Sequence, residues 1–487
     1  MKPKNLFVAL LLMIVALGTN MTTAAGSMAA NVKNTPVNHK SLMSKKPKKG
    51  KIVKETYNES LGFKDLELSN GVHVLIKSIN GNQNGILMSA RRCGGSSLYG
   101  EKDWANCEMF TPAIKASGLG GMNNAELKKV LDGKDIEIFQ SMEIDNDHLS
   151  ISAKAIDPET LFQLTYLQFT DITKDEDSFK TMLNETGTWY QEQEREMALD
   201  ATSVFLDTIM SVMYDHNWRF KSLKAADLAR VNYDRILEMA KERTANAANY
   251  TFVLVGAFNE ATIRPLIERY IASLPANKDV KSNWVNVATY PQKETICHFT
   301  TKMETPQTQI NIRWINTQLP DNYENYIKAS FLSDILKKNQ REMLPEQFGA
   351  TRPVGGNPGS RTEGDVTFTE VHCFVTVKPE YADETVRILK EEMLKACGHI
   401  DAESLEVLKK GELERLERRK NSTEETNLWS SIYSEASAIS NYAWRGIEHE
   451  PDYDQIVRSQ TPETISAFAR QLLSTGNMIE IVMSPAE

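Results

Sequence analysis

Apolar residues along this chain alternate between short continuous runs and helical stripes, which predicts a layered α/β fold. Tyr250–Val255 is an unbroken run of apolar and β-branched residues, typical of a strand buried on both faces. Gly256 ends this run. The next segment has the spacing of an amphipathic helix, with apolar side chains at Ile263, Leu266, Ile267, Tyr270, Ile271 and Leu274. We expect Pro265 to lie near the start of that helix, where its missing N–H costs nothing.

The segments before this unit predict several more strands and helices. Phe63–Leu68 and Val72–Lys77 flank Asn70-Gly71, which is a strong hairpin signal, and we expect folded sequence to begin near Leu61. Further strands are predicted over residues 85–92, 136–139 and 149–155. Helices are predicted over residues 102–117, 124–131, 160–169, 176–213 and 233–243.

The second half of the chain repeats this order of elements. Asp157-Pro158-Glu159 follows a strand and opens a helix, and Lys378-Pro379-Glu380 does the same about 220 residues later. Met478–Met483 then closes the second half with a strand, as Tyr250–Val255 closes the first. We therefore predict an α+β protein made of two similar α/β sandwich domains, with antiparallel-rich sheets covered by helices.

The N-terminus has the layout of a secretory signal peptide. Lys2 and Lys4 precede the apolar run Leu6–Leu17, which is too short for a comfortable membrane span, and small residues follow it. The alternative is an uncleaved N-terminal anchor. We assign residues 1–30 to the signal peptide, 31–54 to a basic linker, 55–277 to the first domain, 278–293 to a polar linker and 294–487 to the second domain, and we expect an exported protein, periplasmic or secreted.

Charge is distributed unevenly between the linker and the body. Residues 1–54 hold ten lysines and no acid, so the rest of the chain has 46 basic against 65 acidic residues, a net charge of about −19. This pattern favours a solvated linker, with contact to anionic lipid or to the body itself as alternatives. An acidic body argues against nucleic acid as the main partner.

The five cysteines are too few for a disulfide scaffold. Their odd number leaves at least one thiol free or intermolecular, while Cys93 and Cys107 could pair in an oxidising compartment. Cys93 also lies beside Arg91 and Arg92, which could lower the pKa of its thiol, but no histidine is near in sequence to support nucleophilic catalysis.

Three segments resemble one known family. They are ELSNGVHVLIK at 67–77, GLGGMNNAELKKVLDGK at 118–134 and the stretch Arg243–Pro275. These resemble the insulinase/pitrilysin-type zinc metallopeptidases, and more closely the non-catalytic C-terminal half of large exported bacterial members. In that family two halves, each of two α/β domains, close around a peptide chamber like a clam shell, and one half carries zinc. The resemblance implies that this chain has the fold of one such half.

The resemblance also implies where zinc would bind. The family's H-x-x-E-H motif lies on the helix after the third strand, and two histidines on one helical face hold the metal. Here that helix reads EKDWANCEMFTPAIKASG, with Glu108 but no histidine, and none of the eight histidines forms the motif elsewhere. We therefore assign no catalytic residue, no metal ligand and no cofactor to this chain, and expect zinc on a partner subunit.

A second motif of the family, in a pattern close to R-E-x-x-G-x-T-Y, supplies an Arg and a Tyr that hold the substrate backbone. Its best match is residues 345–352, where proline stands in place of Arg and Arg352 in place of Tyr. Arg341 could substitute for the missing Arg. The candidate substrate-binding residues are therefore Arg341, Gly349, Thr351 and Arg352, and the alternative is an exposed loop over residues 349–361.

Four other segments have a functional and a structural interpretation. Asp145–His148 could bind a metal or transfer protons, or form a polar turn between strands. Gly118–Gly121 lacks the Lys-Ser/Thr of a phosphate loop, so a turn is favoured. Tyr214–Arg219 resembles the family's Asn-x-Arg loop, with structural anchoring as the alternative. Lys409–Lys420 is expected to be a solvated helix face.

These observations favour an exported, zinc-free half of an insulinase-like peptidase. It would complete the peptide chamber of a zinc-bearing partner, and we expect no activity from this chain alone. The alternative is a stand-alone peptide-binding or scaffold protein, possibly homodimeric. An independent hydrolase would need a set of catalytic residues, and we find no such set in the sequence. Expected partners are therefore a zinc-bearing subunit or a second copy, and a peptide substrate.

Overall fold

Two β-sheets organise the fold, one in each half of the chain. In the computed structural model, the described residues are 42–79, 85–153, 157–197, 200–351, 359–363, 366–421, 427–446 and 453–486. Within these ranges, every helix is too short or too polar to cross a bilayer.

The first sheet has seven strands in the order β1-β2-β3-β9-β4-β7-β6. Its strands are β1 (Ile52–Asn58), β2 (Phe63–Leu68), β3 (His73–Ser78), β4 (Ile86–Cys93), β6 (Ile136–Met142), β7 (Asn146–Ala153) and β9 (Thr251–Gly256). A separate small ladder pairs β5 (Gly118–Leu119) with β8 (Ile172–Thr173). The β2–β3 hairpin and the buried strand β9 are where the sequence predicts them.

The second sheet has five strands in the order β10-β14-β11-β13-β12. They are β10 (Thr295–Thr301), β11 (Thr308–Asn316), β12 (Gly359–Glu363), β13 (Val366–Val377) and β14 (Met478–Pro485). This order reproduces β3-β9-β4-β7-β6 of the first sheet, because β3 runs parallel to β9 as β10 runs parallel to β14, and the remaining pairs are antiparallel in both. The predicted fold class of two similar α/β sandwich domains is confirmed.

Fourteen helices are found in the described ranges, apart from short 3₁₀ turns. They are α1 (Trp104–Glu108), α2 (Phe110–Ala116), α3 (Asn124–Leu131), α4 (Pro158–Thr170), α5 (Glu176–Met197), α6 (Ala201–Met213), α7 (Tyr233–Thr244), α8 (Glu260–Leu266), α9 (Tyr323–Met343), α10 (Ala382–Gly398), α11 (Ala402–Asn421), α12 (Asn427–Arg445), α13 (Tyr453–Ser459) and α14 (Pro462–Leu473).

Three helix predictions need correction. The region predicted over 176–213 contains two helices, α5 and α6, and the Asp200 side chain caps α6 by accepting from the N–H of Thr202 at 3.0 Å. The single helix expected over 102–117 is divided into α1 and α2 at Met109, because Pro112 has no N–H to donate to the carbonyl four residues earlier. Pro265 does not lie at a helix start, since the Asn259 side chain caps α8 by accepting from the N–H of Ala261 at 2.8 Å. Pro265 lies inside α8, and a π-helical turn over Ile267–Ile271 follows it.

The first domain begins earlier than Leu61, where folded sequence was expected to start. Strand β1 is an edge strand, and the segment before it lies against the domain. Leu42 is buried in the first core, Lys46 forms an ion pair with Glu159, and Lys49 forms one with Glu268 at 2.6 Å. Of the interpretations of the lysine-rich segment, contact with the body is the one observed for residues 42–51.

Each domain contributes one helix that packs on the sheet of the other domain. Each sheet is apolar on both faces, so each face needs a covering layer. Helix α6 belongs to the first half of the chain but packs Phe205 and Ile209 with Ile481, on the face of the second sheet opposite to α9 and α10. In the opposite direction, α12 packs Ile432 and Ile439 beside residues such as Leu87 and Val253, on the face of the first sheet opposite to α4 and α8. Separating the domains would therefore expose two apolar faces.

Candidate functional site

Helix α1, in the segment where the family resemblance would place zinc, carries one accessible carboxyl group. Glu108 ends α1 and its side chain reaches solvent, while the neighbouring Cys107 is buried in a helical core with Phe110. Burial raises the pKa of the Cys107 thiol to about 12, so Cys107 is a protonated core residue. Glu108 is thus the accessible titratable group of this short helix.

Protein atoms crowd around Glu108 although water reaches it. This crowding removes hydration from the carboxylate, and the negative charge of Glu143 adds repulsion, so the pKa of Glu108 rises to about 7. Glu143 follows strand β6. On the other side Tyr190 of α5 has a raised pKa, caused first by burial and then by the charge of Glu108. The resulting site is a carboxyl group that exchanges its proton near neutral pH.

These surroundings do not fit a zinc ion. Zinc in proteins is held by three or four side chains drawn from Cys, His, Asp and Glu. In the part of the chain that the structure describes, no three such side chains lie close enough to share a metal. Tyr190 and Glu143 are absent from the sequence-based prediction, because nothing local to either residue marks its approach to Glu108.

The predicted substrate-binding residues lie in and near a tightly bonded loop. Arg341 is exposed near the end of α9. Gly349 adopts φ 61°, a left-handed conformation that suits glycine. Thr351 donates its backbone N–H to the carbonyl of Thr376 at 3.0 Å, which ties the loop to β13. Arg352 lies outside the described residues.

The Asp145–His148 segment divides its side chains between the two faces of the sheet. Asp147 points inward, where Arg243 donates to its carboxylate from Nε at 2.8 Å. His148 points outward, and its Nε2 lies 2.9 Å from the Oγ of Ser89. Burial lowers the pKa of His148 to about 4, so the imidazole is neutral at pH 7. The two side chains therefore do not form one acid–base site.

The buried Asp147 belongs to an anchor made with two arginines. Arg92 donates from Nη1 to the backbone carbonyl of Arg243 at 2.6 Å, and its Nε lies 3.7 Å from the Asp147 carboxylate. Arg243 opens the Arg243–Pro275 stretch that carries the family resemblance. The anchor thus joins β4, β7 and the end of α7, which is a structural role.

The remaining candidates are also structural. Arg219 donates to the backbone carbonyls of Ser96 and Tyr99 at 3.0 and 2.7 Å, which supports the anchoring interpretation of Tyr214–Arg219. Burial raises the pKa of Cys93, so its thiol is not activated, and all five cysteines are free thiols. Gly118–Gly121 forms strand β5 and a turn, and the Lys409–Lys420 face of α11 carries local ion pairs such as Lys409 with Glu406.

Two sandwich domains with the same strand order, each covering a face of the other's sheet with a helix, define the class of this protein as a repeated α/β-sandwich fold. Comparisons with known proteins agree. The family described as "Peptidase M16 inactive domain" matches residues 230–412. The predicted resemblance to insulinase-type metallopeptidases and to their inactive half is confirmed.

Curated relatives are zinc proteases of greater length. The chain is 22% identical over 372 residues to "Zinc protease PQQL-like" of Arabidopsis thaliana, covering 73% of this chain and 35% of that protein. It is 21% identical over 436 residues to "Probable zinc protease PqqL" of Escherichia coli, covering 86% of this chain and 44% of that protein. The chain therefore spans less than half the length of these relatives.

Solved structures show the same fold. The periplasmic protease PqqL from Escherichia coli superposes with a TM-score of 0.73 at 20% identity, over 100% of this chain and 51% of that one. The fold is therefore that of one half of such a protease.

Proposed function

We propose that this protein is the zinc-free half of an insulinase-type peptidase, and that it completes the peptide chamber of a separate zinc-bearing half. The observation that carries the proposal is the α1–α2 helix pair. In a chain with the fold of half of PqqL, this pair keeps Glu108 but holds no histidine. The match to the inactive M16 domain supports the same conclusion.

The need for a second half follows from the geometry of peptide cleavage. A peptide must be held extended and close to the metal, because orientation supplies much of the rate acceleration. One half alone leaves that position open to bulk water. This chain would supply the opposite wall, and the loop with Gly349 and Thr351, together with Arg341 and Arg352, is the candidate contact for the peptide backbone.

Zinc would then belong to the partner, and this chain would bind no cofactor. We place the complex outside the cytoplasm, in the periplasm or the medium. The leader-like N-terminus supports this location, and so does the similarity to a protease that is described as periplasmic.

Co-expression with a zinc-bearing half from the same genome tests the proposal. We expect a stable complex that cleaves unfolded peptides, with cleavage lost on chelation and absent from either protein alone. A partner whose motif histidines are changed to alanine is the control, because it should bind this chain but not cleave. Absence of any complex, or cleavage by this chain alone with stoichiometric zinc, would contradict the proposal.

A second candidate function is a homodimeric peptide-binding or scaffold protein. Its support is the altered second motif, with Pro345 in place of the family's Arg and Arg352 in place of its Tyr. Light scattering after size exclusion separates the two candidates. A homodimer that excludes the zinc-bearing half favours the scaffold, whereas a one-to-one complex favours the chamber.

A further inference from the structure

The lysine-rich segment before β1 forms a basic strap, residues 42–51, across the first domain. Leu42 anchors its first end in the core, and the backbone N–H of Gly50 donates to the carbonyl of Glu268 at 2.8 Å at its other end. Between these points the strap lies over an open cavity of about 760 Å³ whose floor includes Tyr166, Leu167 and Ala272. The strap therefore has a fixed orientation on the domain.

Its lysines divide into two sets. Lys46 and Lys49 face the body, where Glu159 and Glu268 neutralise them. Lys45, Lys48 and Lys51 are exposed, and among the described residues no acidic group lies within ion-pair distance of their side chains. Asp171 is the acidic residue that lines the cavity.

Two exposed apolar side chains lie on the strand that follows the strap. Val53 and Tyr57, on the edge strand β1 that follows the strap, are 57% and 61% exposed. An exposed tyrosine is typical of protein surfaces that meet a lipid headgroup layer, because the ring is apolar and its hydroxyl stays hydrated.

The charge of the rest of the protein restricts how this surface can be used. The body carries about −19 beyond residue 54 and would be repelled by any anionic surface. Screening limits that repulsion to roughly 10 Å, so only the nearest face matters. Lys45, Lys48 and Lys51 give the strap, in a short segment, three exposed cations without an acidic partner in the described part of the chain, so an anionic surface can approach the protein from this side.

From this arrangement we propose that the basic strap docks the protein on a membrane surface of anionic lipid, through Lys45, Lys48 and Lys51 with Val53 and Tyr57 at the headgroup layer. This is a peripheral contact and needs no membrane span. It is independent of the proposed peptidase partner. Each lysine near an anionic bilayer strengthens binding roughly fivefold, so three together contribute on the order of 100-fold.

Vesicle sedimentation tests the proposal. The full chain is expressed and purified, and mass spectrometry establishes the N-terminus of the product. We expect binding to phosphatidylcholine vesicles that contain phosphatidylglycerol, no binding to phosphatidylcholine alone, and weaker binding as salt is raised. The triple variant K45Q/K48Q/K51Q should lose binding by on the order of 100-fold.

The matched control is K102Q/K128Q/K129Q, which makes the same change of charge at exposed lysines elsewhere and should bind as the wild type does. Circular dichroism establishes that both variants fold. Equal binding by the strap variant and the wild type would overturn the proposal, including the case in which a retained leader does the binding. Displacement by inorganic phosphate beyond the effect of chloride at equal ionic strength would also overturn it, because the strap would then be a site for soluble phosphate.

Discussion

Arg243 and Asp147 form a buried ion pair, with Nε of Arg243 2.8 Å from Oδ2 of Asp147. Both side chains are almost fully buried, and the pair joins the last turn of α7 to the start of β7. Removing one member of such a pair leaves the other charge without compensation in a medium of low polarity. This relationship predicts a large stability effect from a pair to which we assign no catalytic or binding role.

Arg243→Met should destabilise the protein by about 3–5 kcal/mol, because Asp147 would keep only the more distant Arg92 as a cation. The free energy of unfolding in urea measures this effect. Arg230→Met is the control, since Arg230 is exposed and 3.7 Å from Asp227, and it should cost at most about 1 kcal/mol. Equal urea midpoints for the two variants would show that the buried pair contributes nothing.

The packing of one helix from each domain on the sheet of the other predicts that the two domains unfold together. Phe205 of α6 is 0% exposed and lies in the cluster on the face of the second sheet opposite to α9 and α10. Phe205→Ala should cost about 3–5 kcal/mol, and the loss should appear in one transition for the whole chain. Tryptophan fluorescence and far-UV circular dichroism during urea unfolding measure both quantities.

The neighbouring Val204 is the control for this helix, because its side chain is exposed. Val204→Ala should stay within about 0.5 kcal/mol of the wild type. Two separated transitions in Phe205→Ala, with one domain retaining the wild-type midpoint, would show that α6 does not couple the domains.

Glu108 predicts a pH dependence of stability. Its carboxyl group has a pKa of about 7 in the folded protein against an ordinary value of 4.5, so between these values the folded state binds more protons than the unfolded state. Stability from this group is therefore present below pH 4.5 and lost as pH rises to about 7. Glu108→Gln stays neutral, so its melting temperature relative to wild type should be higher at pH 8 than at pH 4.

The exposed Glu417 of α11 supplies the comparison for that experiment. Glu417→Gln removes one acidic charge at an exposed position, and so it measures the effect on the melting temperature of that loss of charge alone. If Glu108→Gln and Glu417→Gln shift the melting temperature alike at both pH values, the carboxyl group of Glu108 is not held near neutrality by its surroundings.

Sequence patterns predict the elements whose signals are local. The Asn70-Gly71 turn places the β2–β3 hairpin, and the apolar run before Gly256 places β9, because each pattern reports directly on backbone geometry or burial. Strand β1 carries no such signal: it is an edge strand with no buried face, so its side chains show no alternation.

Long-range relationships could not be predicted in the same way. The contacts of α6 with Ile481 and of α12 with Leu87 join residues far apart in the chain, and both helices show only an ordinary apolar stripe. The site around Glu108 has the same character. Glu108 is visible in the sequence, but its pKa depends on Glu143, which folding brings near.

Leu42 tests whether the basic strap is part of the folded domain. Its side chain is 5% exposed in the first core, so Leu42→Ala should cost about 2–4 kcal/mol and release the first end of the strap. Faster tryptic cleavage at Lys45 or Lys48 would report that release, because an unanchored segment fits a protease more readily. Leu394→Ala is the control, since Leu394 is 63% exposed and its loss should change neither stability nor cleavage. Unchanged stability and cleavage in Leu42→Ala would mean that the two ion pairs and the Gly50 hydrogen bond hold the strap without Leu42.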